Sequence, residues 1–284
     1  MSNAADYVVR TMTRAEVDLA VEWAAREGWN PGLSDAACYY AADPNGFLIG
    51  LLDGEPIACI SAVKYSRDFG FLGFYIVKPE YRGCGYGIRI WNAALHYLEG
   101  CNIGLDGVVA QQDNYRKSGF KLAYQNVRYE GRGGGDAPLI PGLVDLAELP
   151  FETVAAYGRA FFPANRDPFT KAWLTQPDAR ALGIQQADQL VACGVIRPCR
   201  TGYKIGPMFA DSPELAESLF QALTATVSTA DPIYLDVPQV NAEAVQLAER
   251  HEMMMVFETA RMYTGDAPVL PIDRVFGVMS FEVG

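Results

Sequence analysis

Residues 69–88 read Phe69-Gly70-Phe71-Leu72-Gly73-Phe74-Tyr75-Ile76-Val77-Lys78-Pro79-Glu80-Tyr81-Arg82-Gly83-Cys84-Gly85-Tyr86-Gly87-Ile88: a β-rich run, a turn crowded with glycine, then a helix start. Glycine lets backbone N–H groups approach a ligand closely, and a helix N-terminus carries about half a positive charge. Together they make an anion site suited to a pyrophosphate. Two common nucleotide motifs are excluded. The pattern G-x-G-x-x-G would need glycine where Ile88 stands, and G-K-[ST] fails because Ile88 and Arg89 follow Gly87.

Upstream of this stretch, residues 7–10 are β-rich, and Val17, Ala20, Val21 and Ala24 form the stripe of an amphipathic helix that ends at Gly28. A second short helix through Cys38-Tyr39-Tyr40 is stopped by Asp43-Pro44, and strands are expected over 47–52 and 57–65. Asp53-Gly54 marks a tight hairpin between the first strand and the second. Downstream, Ile88, Trp91, Ala94, Leu95 and Leu98 share one helix face. A strand over 103–109, a short helix over 114–118 and a strand over 120–129 follow.

Gly131-Arg132-Gly133-Gly134-Gly135-Asp136-Ala137-Pro138 has no apolar period and reads as a linker. Beyond it the plan repeats, with helices over 151–161 and 168–174 and strands over 181–184, 189–196 and 203–208. A helix opened by Asp211-Ser212-Pro213-Glu214 comes next, then a strand over 233–237, a helix over 241–250 and strands over 254–263 and 275–282.

The chain has 284 residues, 50% of them hydrophobic, which suits two folded domains rather than a disordered chain. A formal charge of −11 repels phosphate backbones and anionic membranes, so neither nucleic acid nor membrane is an expected partner. Cys38, Cys59, Cys84, Cys101, Cys193 and Cys199 form no C-x-x-C pair, and His96 and His251 lie far apart, so no metal site is expected. No run approaches the ~20 apolar residues needed to span a bilayer. Met1-Ser2-Asn3-Ala4 carries no basic or apolar export signal, so a soluble cytoplasmic protein is expected.

Arg82, Gly85 and Gly87 fit R-x-x-G-x-G, and the segment resembles the acyl-CoA-binding motif of the GNAT (GCN5-related) N-acetyltransferases. The resemblance implies a pantetheine arm along the strand edge at Ile76 and Val77. It implies a pyrophosphate on the turn formed by Arg82, Gly83, Cys84, Gly85, Tyr86, Gly87 and Ile88. An ordinary glycine-rich turn is the alternative. Tyr115-Arg116-Lys117-Ser118-Gly119-Phe120 resembles the family's Y-x-K-x-G-F segment, which implies that Tyr115 lies near the CoA sulfur and protonates the departing thiolate. Otherwise Tyr115 is a packing aromatic. The Asn that many members carry seven residues earlier is Val108 here.

The second half resembles the second domain of tandem members: Asp236-Val237-Pro238-Gln239-Val240-Asn241 with Ala244 and Leu247 matches the lead-in to the tyrosine segment. Yet the tyrosine position is Ala248, and Gly206-Pro207-Met208-Phe209-Ala210-Asp211 lacks the glycine motif, so this half is expected to bind no CoA. The expected fold is α+β: two tandem GNAT-like domains, each a mixed, mostly antiparallel sheet flanked by helices. They would span 5–130 and 143–284, the second degenerate, around a linker at 131–142.

The activity so implied is direct acyl transfer through a tetrahedral intermediate, most simply from acetyl-CoA to a small-molecule amine or a lysine side chain. A non-catalytic acyl-CoA sensor and a scaffold protein are the rival readings. A general base is not evident, because 69–77 holds no carboxylate; Glu22, Asp68, Asp106, Asp113 and Asp236 are candidates elsewhere. Trp23, Trp29, Tyr39, Tyr40 and Tyr75 are candidates for an amine pocket, although the aromatics of the first two helices suit packing against the second domain equally well.

Overall fold

The computed structural model describes residues 6–135 and 139–284. The first half runs β1 (Tyr7–Thr11), α1 (Arg14–Arg26), α2 (Asp35–Ala42), β2 (Phe47–Leu52), β3 (Glu55–Lys64), β4 (Phe69–Val77), α3 (Tyr86–Tyr97), β5 (Asn102–Val108), α4 (Gln112–Lys117) and β6 (Lys121–Arg132). The second half repeats that order as β7 (Leu143–Asp145), α5 (Phe151–Gly158), α6 (Asp167–Leu174), β8 (Arg180–Gln186), β9 (Gln189–Pro198), β10 (Tyr203–Ala210), α7 (Pro213–Thr224), β11 (Pro232–Pro238), α8 (Ala242–Arg250) and β12 (Met254–Tyr263). A short β13 (Val275–Gly277) then pairs with β10.

Local chemistry accounts for several boundaries. Thr13 and Glu16 form a capping box that starts α1, and the Ser212 hydroxyl accepts from the Leu215 amide to start α7. Asp53 (φ 49°) and Gly54 (φ 87°) both take the left-handed backbone that a two-residue hairpin requires.

The strands form one sheet in the order β1-β2-β3-β4-β5-β12-β6-β11-β10-β9-β8-β7. Among the described residues, only β4 with β5 and β10 with β11 pair in parallel. The centre of the sheet is an exchange. β12 from the second half lies beside β5 of the first, with Thr259 opposite Val108 and Tyr263 opposite Gly104. In return β6 lies beside β11, with Val127 opposite Val237, and β6 and β12 pair with each other.

Side chains alternate across the sheet, so each strand feeds two cores. Cys59 and Val63 of β3 pack with α1, α2 and α6 in a cluster that draws on both halves, including Tyr39, Phe74, Phe169 and Trp173. Ala58, Ile60 and Ala62 of the same strand face α3, where Ile90, Trp91 and Leu98 are buried with Ala260 and Met262 of β12.

Two sequence expectations need correction. Gly131 and Arg132 are not linker: they continue β6, opposite Ile233 and Pro232 of β11, because the exchanged strand extends to meet its partner. Asp136, Ala137 and Pro138 of that expected linker lie outside the described residues. The strand expected over 275–282 stops at Gly277, and the chain then turns across Gly73 of β4 and its β3 partner Ser61, whose Oγ donates to the Glu282 carbonyl (3.0 Å).

Candidate active site

β4 and β5 are hydrogen-bonded only from Phe69–Leu72 against Asn102–Leu105. Beyond Leu72 they part. Phe74 takes a left-handed backbone (φ 47°), and the register with β3 slips between Cys59 and Ser61, as a β-bulge requires. The wedge so opened is a cavity of about 600 Å³.

One end of the cavity is the glycine turn. Gly83 (φ 77°) and Gly85 (φ 86°) sit in the left-handed region, and Gly85 is the N-cap of the 12-residue α3 with no side chain capping it. The first amides of that helix therefore have no intrahelical acceptor and no cap. Gly87 leaves room for a neighbour, since a Cβ there would stand 2.7 Å from the Tyr75 hydroxyl. Arg82 braces the turn: Nε donates to the Val77 carbonyl (2.8 Å) and Nη2 to Glu27 (2.5 Å). Ile76, Val77, Arg82, Gly83, Gly85, Gly87 and Ile88 line the cavity. The side chains of Cys84 and Tyr86 do not: Cys84 is exposed, and Tyr86 packs on Tyr7 with ring centroids 4.8 Å apart.

Tyr115 of α4 also faces the cavity, its ring stacked on Trp91 (5.7 Å, 27°). The ring also rests against Gly107, where a Cβ would collide with it. Burial, with a smaller contribution from Tyr75, pushes the phenol up to about 12. It is fully protonated at neutral pH.

The remaining walls come from far along the chain. Phe257 and Thr259 of β12, with Phe281 and Glu282 after β13, close the side that the strand exchange exposes. Arg128 of β6 lies there too, between the rings of Phe257 (5.6 Å) and Phe281 (5.3 Å), paired with the buried Asp236 (2.6 and 2.8 Å). Of these residues, Phe257, Thr259, Phe281, Glu282 and Arg128 do not stand out in the sequence. The one local trace is Gly73 in β4, where a Cβ would collide with the Glu282 backbone; a strand glycine of this kind marks a close approach.

Of the aromatics expected at an amine pocket, Trp29 and Tyr75 line the cavity, and Trp23, Tyr39 and Tyr40 do not. Trp23 and Tyr39 are buried in the shared helical core, and Tyr40 packs against it. Their apolar rings serve the contact between halves. The carboxylates divide in a similar way. Glu22 pairs with Arg200, Asp113 with Arg116, and Asp68 accepts from Ser66, all outside the cavity. Asp236 is taken by Arg128. Asp106 does line the cavity, but Arg261 (2.7 and 2.6 Å) and Asn126 (2.8 Å) occupy both of its oxygens. Burial raises its pKa, and the opposing Arg261 only partly offsets that. Among the described residues, no cluster of three or more His, Cys, Asp or Glu side chains could hold a metal ion, and no helix is long and apolar enough to cross a membrane.

Family models match both halves: the Acetyltransferase (GNAT) family over residues 15–120 and an Acetyltransferase (GNAT) domain over 154–277. The chain is a tandem GNAT-family protein. It is 27% identical over 269 residues to the holothin acyltransferase of Pseudoalteromonas sp. (strain SANK 73390), covering 95% of this chain and 92% of that relative. It is 25% identical over 190 residues to the uncharacterized N-acetyltransferase YitH of Bacillus subtilis (strain 168), covering 66% of each. In structure it resembles a putative acetyltransferase from Pyrococcus horikoshii, with TM-score 0.83, 22% identity and coverage of 100% of this chain and 99% of that one. It also resembles a tandem GNAT protein from the clavulanic acid biosynthesis pathway, with TM-score 0.64, 10% identity and coverage of 93% and 100%. These structural likenesses speak to fold. The family relationship makes the protein an acyltransferase of a class that generally uses acetyl-CoA or another acyl-CoA with amine acceptors.

Proposed function

We propose that the first half of this tandem GNAT protein carries out acyl transfer from acyl-CoA, most simply acetyl-CoA, to an amine. What supports this is one cavity that joins an uncapped, glycine-rich helix start to a half-buried, protonated phenol. The diphosphate of CoA would rest on the amides of Gly83 to Ile88, with its arm along Ile76 and Val77. A backbone N–H on that open edge would stabilise the oxyanion formed when the amine attacks the thioester.

Tyr115 would face the leaving sulfur. Full proton transfer from a phenol near pKa 12 to a thiolate of ordinary pKa about 8.5 is uphill by about 5 kcal/mol. Its role in this reading is therefore to donate a hydrogen bond to the developing thiolate, which takes its final proton from solvent. That differs from the proton donor implied by the family resemblance. The second half, with Ala248 at the tyrosine position and no glycine motif, would act through the walls it lends to the cavity.

The test is acceptor-dependent release of free thiol from acetyl-CoA, with the acylated product identified by mass. Holothin heads the acceptor panel because a full-length relative is named for acylating it; alkylamines, arylamines and lysine peptides complete it. The expected result is thiol release matched by one acyl mass on an acceptor. Thermal stabilisation by CoA with no transfer to any acceptor would select the sensor reading instead; a ligand at 100 times its Kd adds about 2.7 kcal/mol.

A further inference from the structure

We propose that Glu282, contributed by the second half of the chain, is the general base of the first half's cavity. This rests on the acyl-transfer reading above. β4 carries no carboxylate, and the acids lining the cavity are Glu27, Asp106 and Glu282. Asp106 has both oxygens bonded to Arg261 and Asn126. Glu27 pairs with Arg82 at the Val77 end of β4, four residues or roughly 13 Å along the strand from Gly73. Glu282 lies against Gly73 itself, where β4 and β5 part.

Glu282 is 5% exposed, and its carboxylate is held on one side only. Tyr39 Oη (3.0 Å) and Ser280 Oγ (2.7 Å) both donate to Oε2, and no donor among the described residues reaches Oε1. The backbone beneath is clamped: Ser61 donates to the Glu282 carbonyl, Tyr65 to the Val283 carbonyl (2.7 Å), and the Glu282 amide donates to Ser280 Oγ (3.0 Å). A carboxylate oxygen without a protein donor, fixed beside the opening of the sheet, is what a general base in this cavity needs.

Proton counting points the same way. Tyr39 has one hydroxyl hydrogen and two carboxylate oxygens in reach, Glu282 Oε2 at 3.0 Å and Asp35 Oδ2 at 3.1 Å. Asp35 is fully buried and ion-paired with Arg197 (2.8 and 3.1 Å). When Glu282 is ionised, Tyr39 donates to it. When Glu282 gains a proton on Oε1, its Oε2 still accepts from Tyr39 and Ser280, and Asp35 keeps its pair with Arg197. Both protonation states are therefore satisfied without an orphaned buried group. In the reaction, Glu282 Oε1 takes a proton from the bound alkylammonium and passes it to water. The freed nitrogen bonds the thioester carbon, the C–S bond breaks with its electron pair to sulfur, and the proton that nitrogen then sheds neutralises the thiolate through solvent.

The test compares full-length wild type with Glu282→Gln, using acetyl-CoA and two acceptors: an alkylamine, whose conjugate acid has a pKa of about 10.4, and a weakly basic arylamine. For the alkylamine, kcat should fall about 100- to 10,000-fold, the range of general-base catalysis. For the arylamine it should fall far less, while the CoA thermal shift is unchanged. An equal loss with both acceptors, or no loss, overturns the assignment and leaves acyl transfer standing. Wild type that binds CoA and acylates neither these nor any other amine overturns both. Should Glu282→Gln not melt cooperatively, Glu282→Asp, which withdraws the carboxylate by one methylene, must show the same discrimination between acceptors; without it the assignment fails.

Discussion

Tyr115 is positioned by packing rather than by a hydrogen bond: Trp91 stacks on its ring, and Gly107 leaves the space the ring edge fills. Tyr115→Phe keeps those contacts and removes only the hydroxyl. A hydrogen bond to a charged group contributes about 1.5–3 kcal/mol, so kcat should drop roughly 10- to 150-fold with CoA affinity unchanged. Steady-state kinetics beside calorimetric CoA titration check this, and unchanged turnover would remove Tyr115 from the chemistry. The candidacy of Tyr115 was legible in the sequence because it follows a glycine turn, a helix and a strand in fixed order. Glu282 was not legible. Its importance comes from a crossing over Gly73 of residues 209 positions apart in sequence, and its local context reads as a plain strand. Trp23 and Tyr39 misled in the opposite direction, since an aromatic residue off a helical stripe can face solvent, a ligand or another domain with the same local pattern.

The turn ahead of α3 permits a matched comparison at the level of the element. Gly85 and Gly54 have nearly the same backbone (φ 86° and 87°), and at neither would an added Cβ meet an atom within 4 Å. Alanine at either site should cost about 1–2 kcal/mol for the left-handed conformation alone. Gly54→Ala, in the β2–β3 hairpin, should lower the melting temperature by several degrees and leave CoA affinity intact. Gly85→Ala should weaken CoA as well, by about tenfold where relief of strain swings the amides off the diphosphate. Equal CoA affinity in the two variants would mean that the turn does not hold the ligand. Turns and helix starts of this kind could be read from sequence because glycine, proline and capping residues act on their immediate neighbours. Strand partners could not. The periodicity of β6 and β12 places them as strands, but nothing local says that each lies beside the other half's fifth strand.

That exchange governs the whole molecule, and charge reinforces it. Among the described residues, the three Arg–Asp pairs with both side chains buried each join one half to the other: Asp35 with Arg197, Asp106 with Arg261, and Arg128 with Asp236. Removing one partner strands a buried charge, at a cost of about 3–5 kcal/mol, so Arg197→Met should be severely destabilised at neutral pH. The sign of its pH dependence makes the prediction sharper. Burial pushes Asp35 upward, but Arg197, with help from Lys204 and the Gly32 amide, brings it below the ordinary value. In wild type the stability contributed by Asp35 is therefore complete above about pH 4 and is lost only as pH falls through the depressed value. Without the guanidinium, burial dominates and Asp35 is raised above its unfolded value. The variant then gains stability as pH drops from 7 toward 4.5, where wild type is nearly flat with respect to this group. Chemical denaturation of both proteins at the two pH values should show the gap between them narrowing on acidification. Parallel curves would mean that Arg197 acts through packing against Trp173, whose ring lies 4.2 Å from its guanidinium, and not through the charge on Asp35.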